Sequence, residues 1–420
     1  MPEAAAHRSE RLNISIREIC IVLGIVLLWT YVSKKEFVKT EFPILVTTQL
    51  RFHALMVRLD WRKKRPNLPL LVEVDDASFY SAPVSGTSPT SRRYLGDLVR
   101  NACHGGASVV ALDFQLKSPS ASPGDDPARS GDNQYLLDAI REAKTSGTPV
   151  VLACGFVREG KKEWKLEPNI FPDTALPAGA GIGYINLPID RREILLEEKA
   201  WDWDGKAMRL FQSFALATVS AYETAAGLHP KTLEEESIKR GIRGGGFVYG
   251  GFLDDSRFTK VSALRLWKKE KNALDLCKGK IVLIGGTWHQ WGAYRGPLIE
   301  SFDSPAGKVP GIYLHANYVE DLLVGRYAPG VPLFVELVLD LLVGFALYKV
   351  SHLFGFRGLM LLLAVLALPI LVAYLLFANI GYYLDGIMPL SACVLHLGYK
   401  HLATYLRLRH GQEPGTSFSK

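Results

Sequence analysis

Cysteine is scarce in this chain, five in 420 residues, too few for a disulfide scaffold. Cys20 and Cys393 fall inside apolar runs. Cys103, Cys154 and Cys277 each stand in an apolar context that favours buried thiols over a bridge. Glycine is plentiful, yet its phosphate-binding patterns are missing. Gly285-Gly286-Thr287 follows an apolar run but lacks both Gly-x-x-x-x-Gly-Lys-[Ser/Thr] and Gly-x-Gly-x-x-Gly, so it reads as a tight turn that lets the backbone approach a neighbour. Gly244-Gly245-Gly246 and Gly250-Gly251 read as joints by the same logic. No Gly-x-Ser-x-Gly elbow is present, and His289 and His315 lack partners at metal-ligand spacing. These gaps argue against a phosphate-loop enzyme, a serine hydrolase of the elbow type and a zinc centre, and no cofactor is expected. The net charge of +7 would suit nucleic acid. The basic residues, however, are spread along the chain and gather beside the apolar runs, so membrane anchoring explains them and no nucleic-acid partner is expected.

The chain does have long apolar runs. One covers residues 14–32, long enough to cross a ~30 Å hydrocarbon core if its ends snorkel. A cleaved signal peptide is the rival reading, since Arg8, Arg11 and Arg17 precede the run. No small-x-small cleavage site follows, so an uncleaved anchor is expected. Three more runs lie at 331–348, 359–377 and 380–397, the last two joined by Ala378-Asn379-Ile380-Gly381, a hairpin-length link. Positive charge sets the orientation. The N-tail, the loop with Lys349 and Arg357, and the C-tail with Lys400, Arg407 and Arg409 are basic, whereas the Asn379 hairpin is not. The expected layout is a cytoplasmic tail at 1–13, a transmembrane helix at 14–33 and an extracytoplasmic domain at 34–330. A three-helix membrane region at 331–400 and a second cytoplasmic tail at 401–420 complete it. The lipid bilayer is thus the first expected partner. Within the spans, Glu336 and Asp340 are four residues apart on one helix face. Acids at that depth are expected to face the bundle, with Asp385, His396 and Tyr399 as partners; for Glu336, solvation at the outer rim is equally open.

Between the runs the pattern alternates. Apolar runs at 68–74, 107–113, 149–154 and 280–286 read as buried strands, the first two ending in Asp75-Asp76 and Asp113. Helical spacing predicts helices over 91–103, 132–143 with Asp132 as N-cap, 211–227 and 310–325. The stretch 158–204, with Trp164, Trp201 and Trp203, suggests antiparallel hairpins at one edge. The expected fold is α/β: a mixed, mainly parallel sheet with flanking helices and right-handed crossovers, plus four transmembrane helices.

Several segments together resemble the CHASE type 2 domain, an extracytoplasmic sensory module of bacterial adenylate cyclases, histidine kinases and serine/threonine kinases. They are Val72-Glu-Val-Asp75-Asp76-Ala-Ser78, the helix-opening Arg93, Gly106-Ala-Ser-Val-Val-Ala-Leu-Asp113-Phe114, residues 132–143, Gly279-Lys-Ile-Val-Leu-Ile-Gly-Gly286-Thr287 and Pro310-Gly-Ile-Tyr-Leu-His315-Ala-Asn317. The resemblance covers nearly all of 14–400 and implies one helix before the domain and three after it. Two departures stand out. Ser88-Pro-Thr-Ser-Arg92-Arg93 replaces the usual Trp-Pro stretch, and Thr287-Trp-His-Gln-Trp-Gly-Ala-Tyr-Arg295 carries no aspartate. About twenty polar residues follow the last run, so no output domain is expected in this chain.

The candidate ligand-binding set is Asp75, Asp76, Ser78, Arg93, Asp113, Asp132, Thr287 and His315. Asp75, Asp76 and Asp113 end adjacent candidate strands, where open α/β sheets place their crevice, and Asp126 and Asp132 can join from the following loop. The cluster fits a hard cation, or a ligand's polar groups with Arg93 as cation. Equally, the aspartates cap helices and pair with Arg92 or Arg93. Trp288 and Trp291 fit either a stacking ligand or packing on the domain edge. A sensor that signals to a separate cyclase or kinase, or to a second copy of itself, is the leading expectation. A membrane-anchored metal-dependent hydrolase and an envelope assembly partner are the alternatives, and no catalytic residue is assigned.

Overall fold

The computed structural model describes Gly24 and residues 43–59, 68–86, 90–117, 131–159, 163–167, 181–186, 193–202, 205–228, 247–250, 252, 255–290, 296–325, 328–350, 356–385, 402, 405 and 406. The chain divides into two compact units, His53–Pro329 and a second made of 1–52 with 330–420. The elements in chain order are α1 (Pro43–Leu59), β1 (Pro69–Val74), α2 (Asp76–Phe79), α3 (Arg92–His104), β2 (Val109–Asp113), α4 (Asp132–Thr145) and β3 (Val150–Cys154). Then come β4 (Phe156–Glu159), β5 (Glu163–Leu166), β6 (Gly181–Tyr184), β7 (Glu193–Leu195), β8 (Glu197–Trp201), β9 (Met208–Gln212), α5 (Phe214–Ala225) and β10 (Phe247–Tyr249). The rest are β11 (Thr259–Ser262), α6 (Ala263–Trp267), α7 (Lys271–Cys277), β12 (Ile281–Gly286), β13 (Phe302–Ser304), β14 (Gly307–Val309), α8 (Gly311–Val324), β15 (Ala328–Pro329), α9 (Leu333–Val350) and α10 (Phe356–Leu375).

In the first unit the central sheet has the order β11-β1-β12-β2-β3-β6, parallel at each pairing. Its strands read as continuous apolar runs because both faces are covered. Side chains alternate across the sheet. One parity, Leu70, Val72 and Val74 of β1 with Val110, Leu112, Val150, Leu152, Val282 and Ile284, joins the apolar faces of α3, α4, α6 and α7 in one core. The other parity meets α5, which packs on β6, β3 and β2, and α8, which packs on β12 and β1. Crossovers through α3 and α4 advance the sheet from β1 to β3 on one face, and β12 returns last to lie between β1 and β2.

The expected strands and helices are found within two residues, except that the helix expected from 211 begins at Phe214 because Phe211 and Gln212 end β9 and Ser213 caps the helix; one further difference is instructive. Asp132 opens α4, but Gly131 is the N-cap residue and makes no side-chain cap bond. The Asp132 carboxylate is buried and accepts instead from Ser91 Oγ at 3.1 Å. The region expected to form hairpins is a four-stranded sheet, β4-β5-β8-β9, with antiparallel β4/β5 and β8/β9 and a parallel join between β5 and β8. Trp201 Nε1 donates to Glu163 Oε2 at 3.0 Å across that join.

In the second unit, α9 and α10 coincide with two of the expected spans, and α10 runs into a π-turn at Leu376–Ile380. The spans expected at 14–33 and 380–397 lie outside the described residues, apart from Gly24 and 380–385. Among the described residues, no helix is long and apolar enough to cross a membrane. The unit nevertheless buries its acids and exposes its apolar groups. Glu336 is 6% and Asp340 2% exposed, while Phe334 is 75% exposed and Val338, Leu342, Phe345, Leu361, Leu368 and Leu371 are exposed as well. Of the partners expected for these acids, Asp385 accepts from Gln49 Nε2 at 2.7 Å, and His396 and Tyr399 lie outside the described residues.

Gly285 sets how closely α8 approaches the sheet, because a Cβ there would stand 2.8–3.1 Å from three side-chain atoms of Ile312. Gly285→Val is expected to lower the stability of the full chain by about 1–3 kcal/mol through overpacking, read as a lower melting temperature than wild type.

Candidate functional site

Parallel register builds the site. Glu73 of β1 pairs with Gly285 of β12, and Gly285 with Asp113 of β2. Three neighbouring positions at the carboxyl ends of adjacent strands therefore share the face that α8 covers. The first turns of α8 answer them one by one. Ile312 sits over Gly285, the Tyr313 hydroxyl donates to Glu73 Oε1, and His315 Nε2 lies 3.9 Å from Asp113 Oδ1. At the helix entrance, a Cβ on Gly311 would be 3.2 Å from Glu300 Oε2 and 3.9 Å from Asp113 Oδ2, so both carboxylates turn toward the same Cα. Glu300 is placed there by paired arms. Gln290 N donates to Pro297 O at 2.9 Å, and Ile299 N donates to Trp288 O at 2.8 Å.

Burial dominates the electrostatics. The Asp113 side chain is only 10% exposed, and desolvation pushes its carboxyl up to about 7. Burial also raises Glu300, with the Asp113 charge adding to the rise and His315 opposing it. His315, 3% exposed with its ring edge-on to Phe214, is held down to about 4 by burial against a smaller pull from Glu300. Its Nδ1 has no hydrogen-bond partner among the described residues. At neutral pH this is a neutral imidazole facing two carboxyl groups at a helix N-terminus, where negative charge is favoured.

The other expected site residues go elsewhere. Asp75 Oδ1 caps α2 by accepting from Ser78 N at 2.8 Å and Ser78 Oγ at 2.6 Å, and it accepts from Ser262 Oγ at 3.2 Å. Ser78 Oγ in turn accepts from Leu264 N at 3.0 Å, tying α2 to the start of α6. Asp76 clamps the chain after β12, accepting from His289 N at 2.7 Å and meeting His289 Nδ1 at 2.9 Å. Arg93 Nε pairs with Asp132 Oδ1 at 3.4 Å and its guanidinium lies over Tyr135, which fastens α3 to α4. Beside it, burial lowers Arg92 to about 10 against the opposing charge of Asp132. Thr287 N extends the β12 ladder to Val74 O at 3.0 Å. Trp288 stacks on Phe79 with centroids 4.2 Å apart, so it packs on the domain itself; Trp291 and Asp126 lie outside the described residues. The structure thus brings together Asp113 and His315 from the expected set and adds Glu300, Glu73 and Tyr313. Glu73, a carboxylate inside an otherwise apolar strand, is the one addition with a sequence signal. Among the described residues, no group of three or more His, Cys, Asp or Glu is arranged to hold a metal ion.

Residues 22–349 match the CHASE2 domain, and the chain belongs to that family of sensory domains. No curated protein and no solved structure matches it.

The site predicts how stability depends on pH. Asp113 is raised when folded, so its contribution is fully favourable below its unfolded pKa and is lost as pH rises toward about 7. His315 is lowered when folded, which costs stability below the unfolded histidine value and ceases to cost as pH rises from about 4. The two largely cancel between pH 4 and 6.5 in wild type. Removing the Asp113 titration with Asp113→Asn is expected to make the variant's stability, relative to wild type, rise from pH 4 to 7 and then level off. The change should be on the order of a few kcal/mol, measured by denaturant melts of the full chain at a series of pH values.

Proposed function

We propose that this chain is a bacterial plasma-membrane sensor, with its CHASE2 domain outside the cytoplasm and its N- and C-tails inside. The domain binds a small ligand in the crevice beneath the entrance of α8. The observation that carries this reading is the row Glu73-Gly285-Asp113, covered by the first turns of the same helix. Occupancy at Asp113 changes what those turns rest on, and α8 ends at Val324, shortly before α9 begins at Leu333 in the chain. A bias on the helix is thereby passed toward the C-terminal helices. The effector is a separate membrane cyclase or kinase, or a second copy of this chain.

Anchoring in the bilayer is supported by the second unit's reversal of the water-soluble pattern. Glu336 and Asp340, acids seldom fully buried in water-soluble folds unless paired, are buried here, while Phe334, Leu342, Phe345, Leu361, Leu368 and Leu371 point outward. The apolar runs at 14–33 and 380–397 and the basic residues beside them support the same layout. The hydrolytic alternative needs aspartates free to gather on one metal, and Asp75, Asp76 and Asp132 each serve other partners.

Accessibility in intact cells tests the layout. Lys268 is exposed at the end of α6. Lys268→Cys is expected to react with a membrane-impermeant maleimide added outside the inner membrane, above the wild-type background, whereas Arg8→Cys reacts only after permeabilisation. The reverse pattern would overturn the proposed topology.

A further inference from the structure

We propose that the crevice at the entrance of α8 takes a primary ammonium group, received by Asp113, Glu300 and His315. This deepens the sensor reading and rests on it. The geometry supplies two carboxyl groups that no described side chain other than His315 meets as a possible donor. The Asp113–His315 separation of 3.9 Å is wider than a hydrogen bond, and no described residue donates to the Asp113 carboxylate. No described lysine or arginine pairs with Asp113 or Glu300. His315 is buried, its Nδ1 has no partner among the described residues, and its other nitrogen is turned to Asp113. With the proton on Nδ1, Nε2 presents a lone pair toward Asp113, and the Glu300 and Asp113 carboxylates both approach Gly311. An ammonium offers three N–H donors and one positive charge, which matches three acceptors and the charge they lack.

The competing chemistries fit less well. A carboxylate or phosphate ligand would be repelled by Asp113 and Glu300, and those two acids already satisfy the positive end of α8. A neutral polyol could share hydrogen bonds but would leave the negative charge uncompensated in a buried place. Burial already holds Asp113 up to about 7. A bound cation favours its ionised form, so ammonium binding and Asp113 deprotonation are linked.

Three ligands of equal chain length and different end groups separate the cases: 1,4-diaminobutane, 1,4-butanediol and succinate, each titrated against the purified full-length protein by calorimetry. The expected result is binding of the diamine alone. Its affinity should be about tenfold weaker one pH unit below the Asp113 value than at the high-pH plateau. Binding should be lost in Asp113→Asn and weakened in His315→Gln, with melting curves of the unliganded variants showing that both are folded. If the diol or succinate binds instead, in a way that needs Asp113, the ammonium assignment falls and the crevice reading stands. If all three fail, or if binding survives both substitutions unchanged, the ammonium site and the crevice reading fall together.

Discussion

Everything in the CHASE2 domain turns on the close seat of one helix over one row of the sheet. β12 enters last, between β1 and β2, and its register puts Gly285 level with Glu73 on one side and Asp113 on the other. Without a side chain at Gly285, Ile312 can drop into the row. Tyr313 then reaches Glu73, and His315 is carried down over Asp113. The same seating dries Asp113, because a carboxylate at the mouth of an open sheet would keep its water. Its raised pKa, the neutral state of His315 and the convergence with Glu300 all follow from that approach.

The fold was largely legible in the sequence. The apolar runs at 68–74, 107–113, 149–154 and 280–286 leave little choice but buried parallel strands, and Ser91 and Pro310 stand at the starts of the helices expected there. The strand order was not legible, since nothing local says that the last long strand inserts between the first two. The site was half legible for the same reason. Aspartates at strand ends pointed to the crevice, but which of them face it depends on side-chain parity and on what lies opposite. Asp75 precedes a four-residue helix that needs an N-cap, so its carboxylate turns to Ser78. Asp132 lies beside buried Ser91 and Arg92, and is used there instead of capping its own helix. Glu300 reaches the crevice through a pairing between two arms of a long loop, a tertiary event without a local signature.

The two units solve opposite problems. The CHASE2 domain buries apolar strands on both faces and keeps the Asp113 carboxyl in its interior with no hydrogen bond from any described residue. The other unit turns phenylalanine and leucine outward and folds Glu336 and Asp340 inward, an arrangement that is stable where the surroundings are hydrocarbon. A domain held together by a close-packed sheet transmits a local change as a shift of a whole element, since its interior is too dense to absorb it side chain by side chain. In this domain α8 begins over the row Glu73-Gly285-Asp113 and is the last long helix before the chain enters the second unit.

A coupling between the Asp113 carboxyl and α8 is therefore the central requirement. Hydrogen exchange of the amides in 311–324 of the full chain, corrected for intrinsic rates and followed across pH, measures it directly. A change in protection centred near pH 7 that disappears in Asp113→Asn is the predicted result. Protection that stays level across that range, or that changes equally in the variant, would contradict the account.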